Sequence, residues 1–208
     1  MSDAKRRTDA LAAGLAARIL SGNWPEGTKL PADNEIGREF GVSRTVIREA
    51  YRILSGKGLL QARPRLGTHV APRSAWSFID TDMLAWLEDC NEIHAYLPDM
   101  MDMRLAVEPS LAALAAIRAD DEANQSLQSA LRALQEAPNF QNEKAFIGIF
   151  YAMSGNPFAH ASLPMAVMSI NHRQTDVPLV AYSRLTAAIA QKDGVLARQC
   201  AFETLIEA

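Results

Sequence analysis

Arg44, Arg48 and Arg52 recur at intervals of four in the stretch SRTVIREAYR. On a helix that spacing puts three guanidinium groups on one face. Val46, Ile47, Ala50, Tyr51 and Leu54 fall on the opposite face as an apolar stripe. Such a helix can bury one side and offer the other to a polyanion. A planar guanidinium bonds the O6/N7 edge of guanine bidentately or grips a phosphate. Ser43 and Thr45, at the start of the helix, can bond phosphate oxygens beside free backbone N–H groups. By itself a three-arginine stripe is equally a solvated basic face; what precedes and follows it decides the reading.

The elements around the stripe support the nucleic-acid reading. The spacing of Leu11, Leu15 and Ile19 predicts a helix over 8–21, and Asn23, Pro25 and Gly27 then break the chain. A short helix is expected over 32–40, turned inward by Ile36 and Phe40, with Gly41 at its left-handed end. Ser43 caps a third helix over 44–55. Two short strands, 59–63 and 67–71, with Pro64, Arg65 and Leu66 at the tip, form a hairpin. A tip carrying Arg63 and Arg65 beside Gly67 suits a wing that enters a minor groove. His69, on the second strand, is expected near the DNA.

Charge agrees with this division. Residues 1–73 hold 13 Lys and Arg against 7 Asp and Glu, and residues 74–208 hold 8 against 17, giving +6 and −9. A polyanion attracts the first and repels the second. From residue 80 the pattern is helical almost throughout, with helices expected over 92–118, from Asp120 or Asp121 to about Ala137, and over 139–154, 157–172, 177–191 and 193–206. Asp80 or Thr81 starts the first helix of this region, and Pro164 should interrupt its segment. The fold class is therefore mostly α: a winged helix-turn-helix of three helices plus a β-hairpin over 1–73, a linker at 74–79, and an all-α bundle over 80–208.

The chain has no run of eighteen apolar residues and its start, MSDAKRRTDA, has no apolar signal region, so a cytoplasmic protein without a membrane partner is expected. Cys90 and Cys200 are expected to be free packing residues. His94, His160 and His172 show no ligand spacing. There is no glycine-rich phosphate loop, nucleophile elbow or H-E-x-x-H, and the helical part is too short for an aminotransferase-like domain, so no enzyme and no cofactor are expected.

The stretch LPADNEIGREFGVSRTVIREAYRILSGKGLLQARPRLGTHVAP, with ILSGNWPEGTKLP before it, resembles the winged-helix domain of the GntR superfamily. SAWSFIDTDMLAW and MRLAVEPSLAALAA resemble its FadR-like branch, whose second domain is called FCD, and within it the galactonate-operon-type repressors of sugar-acid catabolism. The resemblance implies a homodimeric transcription regulator that binds double-stranded operator DNA and is released by a small carboxylate effector. It places Ser43, Arg44, Thr45 and Arg48 at the DNA contacts of the recognition helix, and Arg65 and Gly67 on the wing. Many members have arginine where this chain has Asn34. It also puts Arg104 against an effector carboxylate, although Arg104 and Glu108, four apart, can simply pair with each other. Many FCD domains hold a divalent metal on an Asp and three His. Here Glu143 falls at the Asp, Ile147 and Tyr182 at the first two His, and Thr204 near the third, so no metal is expected and Tyr182 becomes an effector contact. A DNA-binding architectural protein without any effector is the alternative.

Overall fold

The computed structural model describes residues 3–206 and divides into two compact units, one ending at Ile93 and the other beginning at His94. In the first, helix α1 (Asp3–Leu20) buries Leu11, Leu15 and Ile19, the spacing that predicted it. Helix α2 (Asp33–Phe40) starts where the Glu35 carboxylate accepts the Ala32 N–H at 3.0 Å, and it ends at Gly41, whose φ of 65° is left-handed. Helix α3 (Arg44–Gly56) is capped by Ser43, whose hydroxyl oxygen accepts the Val46 N–H, and it packs Ile47, Ala50 and Leu54 into the core, where each large apolar side chain contributes ~1.5–3 kcal/mol.

Strands β1 (Leu60–Arg63) and β2 (Gly67–Val70) pair antiparallel, Leu60 opposite Val70 and Arg63 opposite Gly67. The segment at 28–30 covers the other edge of β2. Leu30 N–H donates to the Thr68 carbonyl and Val70 N–H to the Thr28 carbonyl. The wing is thus a hairpin with a third short segment against it, which anchors its base and leaves its tip in solvent.

The stretch at 74–79, expected to be a linker, is folded onto this unit. Trp76 Nε1 donates to the Ala71 carbonyl at 3.1 Å, and Ser77 N–H to the Lys57 carbonyl at 3.0 Å. Lys57 Nζ reaches Asp80 at 2.6 Å and Asp82 at 2.7 Å. Asp80 also caps helix α4 (Thr81–Asp89), and Lys57 holds its carboxyl below the ordinary range against the opposing effect of burial. Helix α4 packs on α1. The compact unit therefore extends to Ile93, twenty residues beyond the boundary expected at 73.

The second unit is all helical: α5 (Leu97–Arg118), α6 (Asp121–Glu136), α7 (Phe140–Met153), α8 (Pro157–His160), α9 (Leu163–Asn171), α10 (Leu179–Ala190) and α11 (Gly194–Ile206). Helix α5 packs along α11, α10 joins both to α6, and α7 lies against α5, α6 and α9. Asp120 caps α6 and Asn156 caps α8. The single helix expected over 157–172 is two, α8 and α9, with Pro164 in the first turn of α9. Phe146, Phe150, Tyr151, Tyr182, Leu185 and Ile189 fill the core. Cys90 and Cys200 are both free thiols.

Candidate DNA interface and effector site

Of the DNA contacts expected, Ser43, Arg44, Thr45 and Arg48 are all exposed on α3. The Ser43 hydroxyl oxygen accepts from Val46 N–H, which leaves its O–H able to donate to a phosphate. Arg52 shares the spacing of Arg44 and Arg48 but not their freedom: its Nε donates to Glu49 at 3.1 Å. On the wing, Arg63, Arg65 and Gly67 are exposed, and Arg65 itself takes a left-handed φ of 64° at the tip. A non-glycine residue held there costs of order 1–2 kcal/mol. Asn34, where a relative's arginine would stand, is exposed on α2.

His69 is different. It is 8% exposed, and its Nδ1 lies 3.1 Å from the Gly67 carbonyl. The Lys29 segment pairs with the strand at this residue. That extra pairing, which hydrophobic spacing does not announce, turns the ring inward, so His69 has little surface to offer a nucleic acid.

In the helical unit, Arg104 is 2% exposed and Glu108 3%. Arg104 Nε donates to Glu108 Oε1 at 2.6 Å, and Tyr151 from α7 donates its hydroxyl to the same oxygen at 3.0 Å. Burial alone would lower the Arg104 pKa, but Glu108 outweighs it and holds the guanidinium charged well above its ordinary value. The pairing weighed from the spacing is therefore formed. It does not consume Arg104, whose Nη1 lies 3.4 Å from Ser169 Oγ on α9.

A second set stands beside it. Glu143, 1% exposed in α7, accepts from Arg173 Nη1 at 2.5 Å, from Arg173 Nη2 at 2.7 Å and from the Tyr182 hydroxyl at 2.6 Å. Burial, then the Glu143 charge, raises the Tyr182 pKa well above that of an ordinary phenol. The Arg173 Nε donates to the Thr175 carbonyl at 3.2 Å, which ties the guanidinium to its own loop. Arg104 and Arg173 both border a cavity of about 160 Å³, which Ser169, His172, Gln174, Thr175, Leu97 and Met101 also line. Neither Glu108 nor Glu143 lines it, and neither does Tyr182. Tyr182 is a positioning residue for Glu143 rather than a wall of the cavity. The rings of His94 and His172 meet edge to face at 5.0 Å.

These residues do not fit a metal. Both oxygens of Glu143 are taken by a guanidinium and a phenol, Thr204 donates its hydroxyl to the Cys200 carbonyl, and Ile147 has no donor atom. Among the described residues no group of three or more His, Cys, Asp or Glu is placed to hold an ion. Sequence reasoning missed Arg173, which stands in the polar run HRQTD and reads as a solvated loop. Glu143 gave no local signal either, because it stands in the polar run QNEK before AFIGIF and only the fold buries it.

A winged helix with an exposed basic helix, followed by a helical unit, is an architecture suited to a DNA-binding transcription regulator. The family model described as "Bacterial regulatory proteins, gntR family" matches residues 7–70, and that of the FCD domain matches residues 99–206. The chain belongs to the gntR family of bacterial regulatory proteins, in its FCD-containing branch. It is 36% identical over 200 residues to the "Uncharacterized HTH-type transcriptional regulator YieP" of Escherichia coli (strain K12), covering 88% of this chain and 86% of that one. It is 35% identical over 140 residues to the "Galactonate operon transcriptional repressor" of the same organism, covering 67% of this chain and 60% of the relative. Among solved structures, the "Streptococcus agalactiae GntR" chain superposes with a TM-score of 0.50 at 25% identity, covering 96% of this chain and 97% of that one. No helix among the described residues is long and apolar enough to cross a membrane.

Proposed function

We propose that this chain is a cytoplasmic, homodimeric repressor of a catabolic operon, released from double-stranded operator DNA by a small organic acid. Residues 1–73 read the DNA, and the helical part senses the acid. The observation that carries the reading is the exposed face of α3, with Arg44 and Arg48 free of carboxylate partners in the hydrogen-bond and ion-pair geometry and Ser43 and Thr45 at the helix start. Arg63 and Arg65 on the wing add minor-groove contacts. The galactonate operon repressor among the relatives makes a sugar acid the first class to consider, with Arg104 as carboxylate partner.

A single wing and helix buries too little surface for tight specific binding, which favours two copies on a near-palindromic site. The exposed apolar residues of α11, Val195 (83% exposed), Phe202 and Ile206, lie on one stripe, with Ile117 of α5 against its start. A second copy of this chain is the occupant that a two-fold operator calls for on this face. Selection from a random duplex pool by the full chain, with sedimentation at micromolar concentration, tests the proposal. The expected outcome is a dimer enriching a near-palindrome with half-sites about one helical turn apart. A monomer with and without DNA, or a pool that shows no enrichment, would overturn it.

A further inference from the structure

We propose that Arg173 is the second cationic arm of the acid-binding site, and that the site takes a short carboxylic acid of about three or four carbons, its carboxylate bridging Arg104 and Arg173 with no metal ion. The inference rests on the reading of the helical unit as an acid sensor and narrows it.

Three observations carry it. First, the cavity is lined by two guanidiniums and further polar side chains together with Leu97 and Met101, and no carboxylate lines it. That is the chemistry of an anion with a short carbon body. Second, each guanidinium is held in place by a buried carboxylate that is itself anchored by a tyrosine: Arg104 by Glu108 and Tyr151, Arg173 by Glu143 and Tyr182. Arg173 uses its two terminal nitrogens on Glu143 and its Nε on Thr175, and each terminal nitrogen keeps a second N–H. Burial acts to lower the Arg173 pKa and Glu143 outweighs it, with a smaller opposing repulsion from Arg104. An anion between them relieves that repulsion. Third, a volume of about 160 Å³, that of roughly five waters, favours a short acid over a six-carbon sugar acid. Glu143 is paired with the fixed charge of Arg173, so the cation that faces the ligand is part of the chain.

Isothermal titration of the full chain in EDTA with malonate, glycerate and D-gluconate tests this. The three-carbon acids are expected to bind at least tenfold more tightly than D-gluconate, with no change on adding zinc. The paired variant Glu143→Gln with Arg173→Gln removes both charges and leaves Tyr182 an acceptor. It is expected to weaken the three-carbon acids at least tenfold, with circular dichroism confirming the fold. Met101→Trp, which fills the cavity and leaves both ion pairs in place, is expected to abolish binding and serves if the paired variant does not fold. Equal or tighter binding of D-gluconate, binding that appears only with zinc, or undiminished binding in Met101→Trp would overturn the proposal. Loss of binding in Arg104→Gln with Glu108→Gln, but not in the Arg173 pair, would overturn the role of Arg173 and leave the acid-sensing reading standing. No binding of any of the acids by the unaltered chain would overturn both.

Discussion

Replacing Arg104 with methionine is expected to destabilise the helical unit by ~3–5 kcal/mol, a large share of a typical domain's stability. The residue is buried, and so is Glu108, its partner at 2.6 Å. Desolvating either ion alone is costly, and their mutual attraction with the Tyr151 hydroxyl offsets that cost. Methionine matches the stem of the arginine but leaves Glu108 charged in the core with one phenol for company. The double change Arg104→Met with Glu108→Gln removes both charges and keeps an acceptor for Tyr151. It should recover most of the loss. Urea unfolding of the full chain, followed by circular dichroism, reads both variants. Equal losses in the single and double variants would show that packing of the stem, not the uncompensated charge, sets the effect.

Gly58→Ala is expected to cost about 3–4 kcal/mol through backbone strain and steric overlap. Gly58 turns α3 into β1 with a φ of 77°, and an added Cβ would stand 1.9 Å from the Ala75 carbonyl oxygen and 2.7 Å from its carbon. Those atoms are backbone, so relief requires the 72–77 segment to lift away. The same turn sets the angle of the wing, and DNA affinity should fall as well. Gly56→Ala is the control two residues earlier: nothing stands within 4 Å of its added Cβ and its φ is not positive. It should be neutral or stabilise by ~0.4–1 kcal/mol. Thermal melts of the two variants check the contrast, and similar melting temperatures would contradict the role given to the Ala75 contact.

The helices and hairpin of residues 8–71 were readable because their signals are local. The stripe on α3, the glycine at the end of α2, the serine cap and the hairpin tip each depend on residues within a few positions. The caps Asp80 and Asp120 were readable for the same reason. Features set by distant residues were not. Arg173 meets Glu143 across 30 residues, and Arg104 meets Ser169 across 65. His69 is turned inward by a strand-like segment at Lys29 that carries no apolar alternation. Tyr182 was expected as an effector contact, but its hydroxyl donates to Glu143 and it does not line the cavity, a placement that only the fold reveals. The residues at 74–79 read as a linker from composition, and the indole of Trp76 and the charge of Lys57 fold them onto the first unit.

The central claim is that Arg44 and Arg48 on α3 contact DNA, and one measurement addresses it most directly. Fluorescence anisotropy with the selected duplex, from 50 to 200 mM salt, compares the chain with Arg44→Ala and Arg48→Ala. If a residue contacts a base edge, its variant should lose ~1–3 kcal/mol, roughly 5- to 150-fold, on the selected site and less on unrelated DNA. If it contacts a phosphate, affinity should fall alike on all sequences and the salt slope should drop by about one. Full operator affinity in both variants, with the salt slope unchanged, would contradict the account.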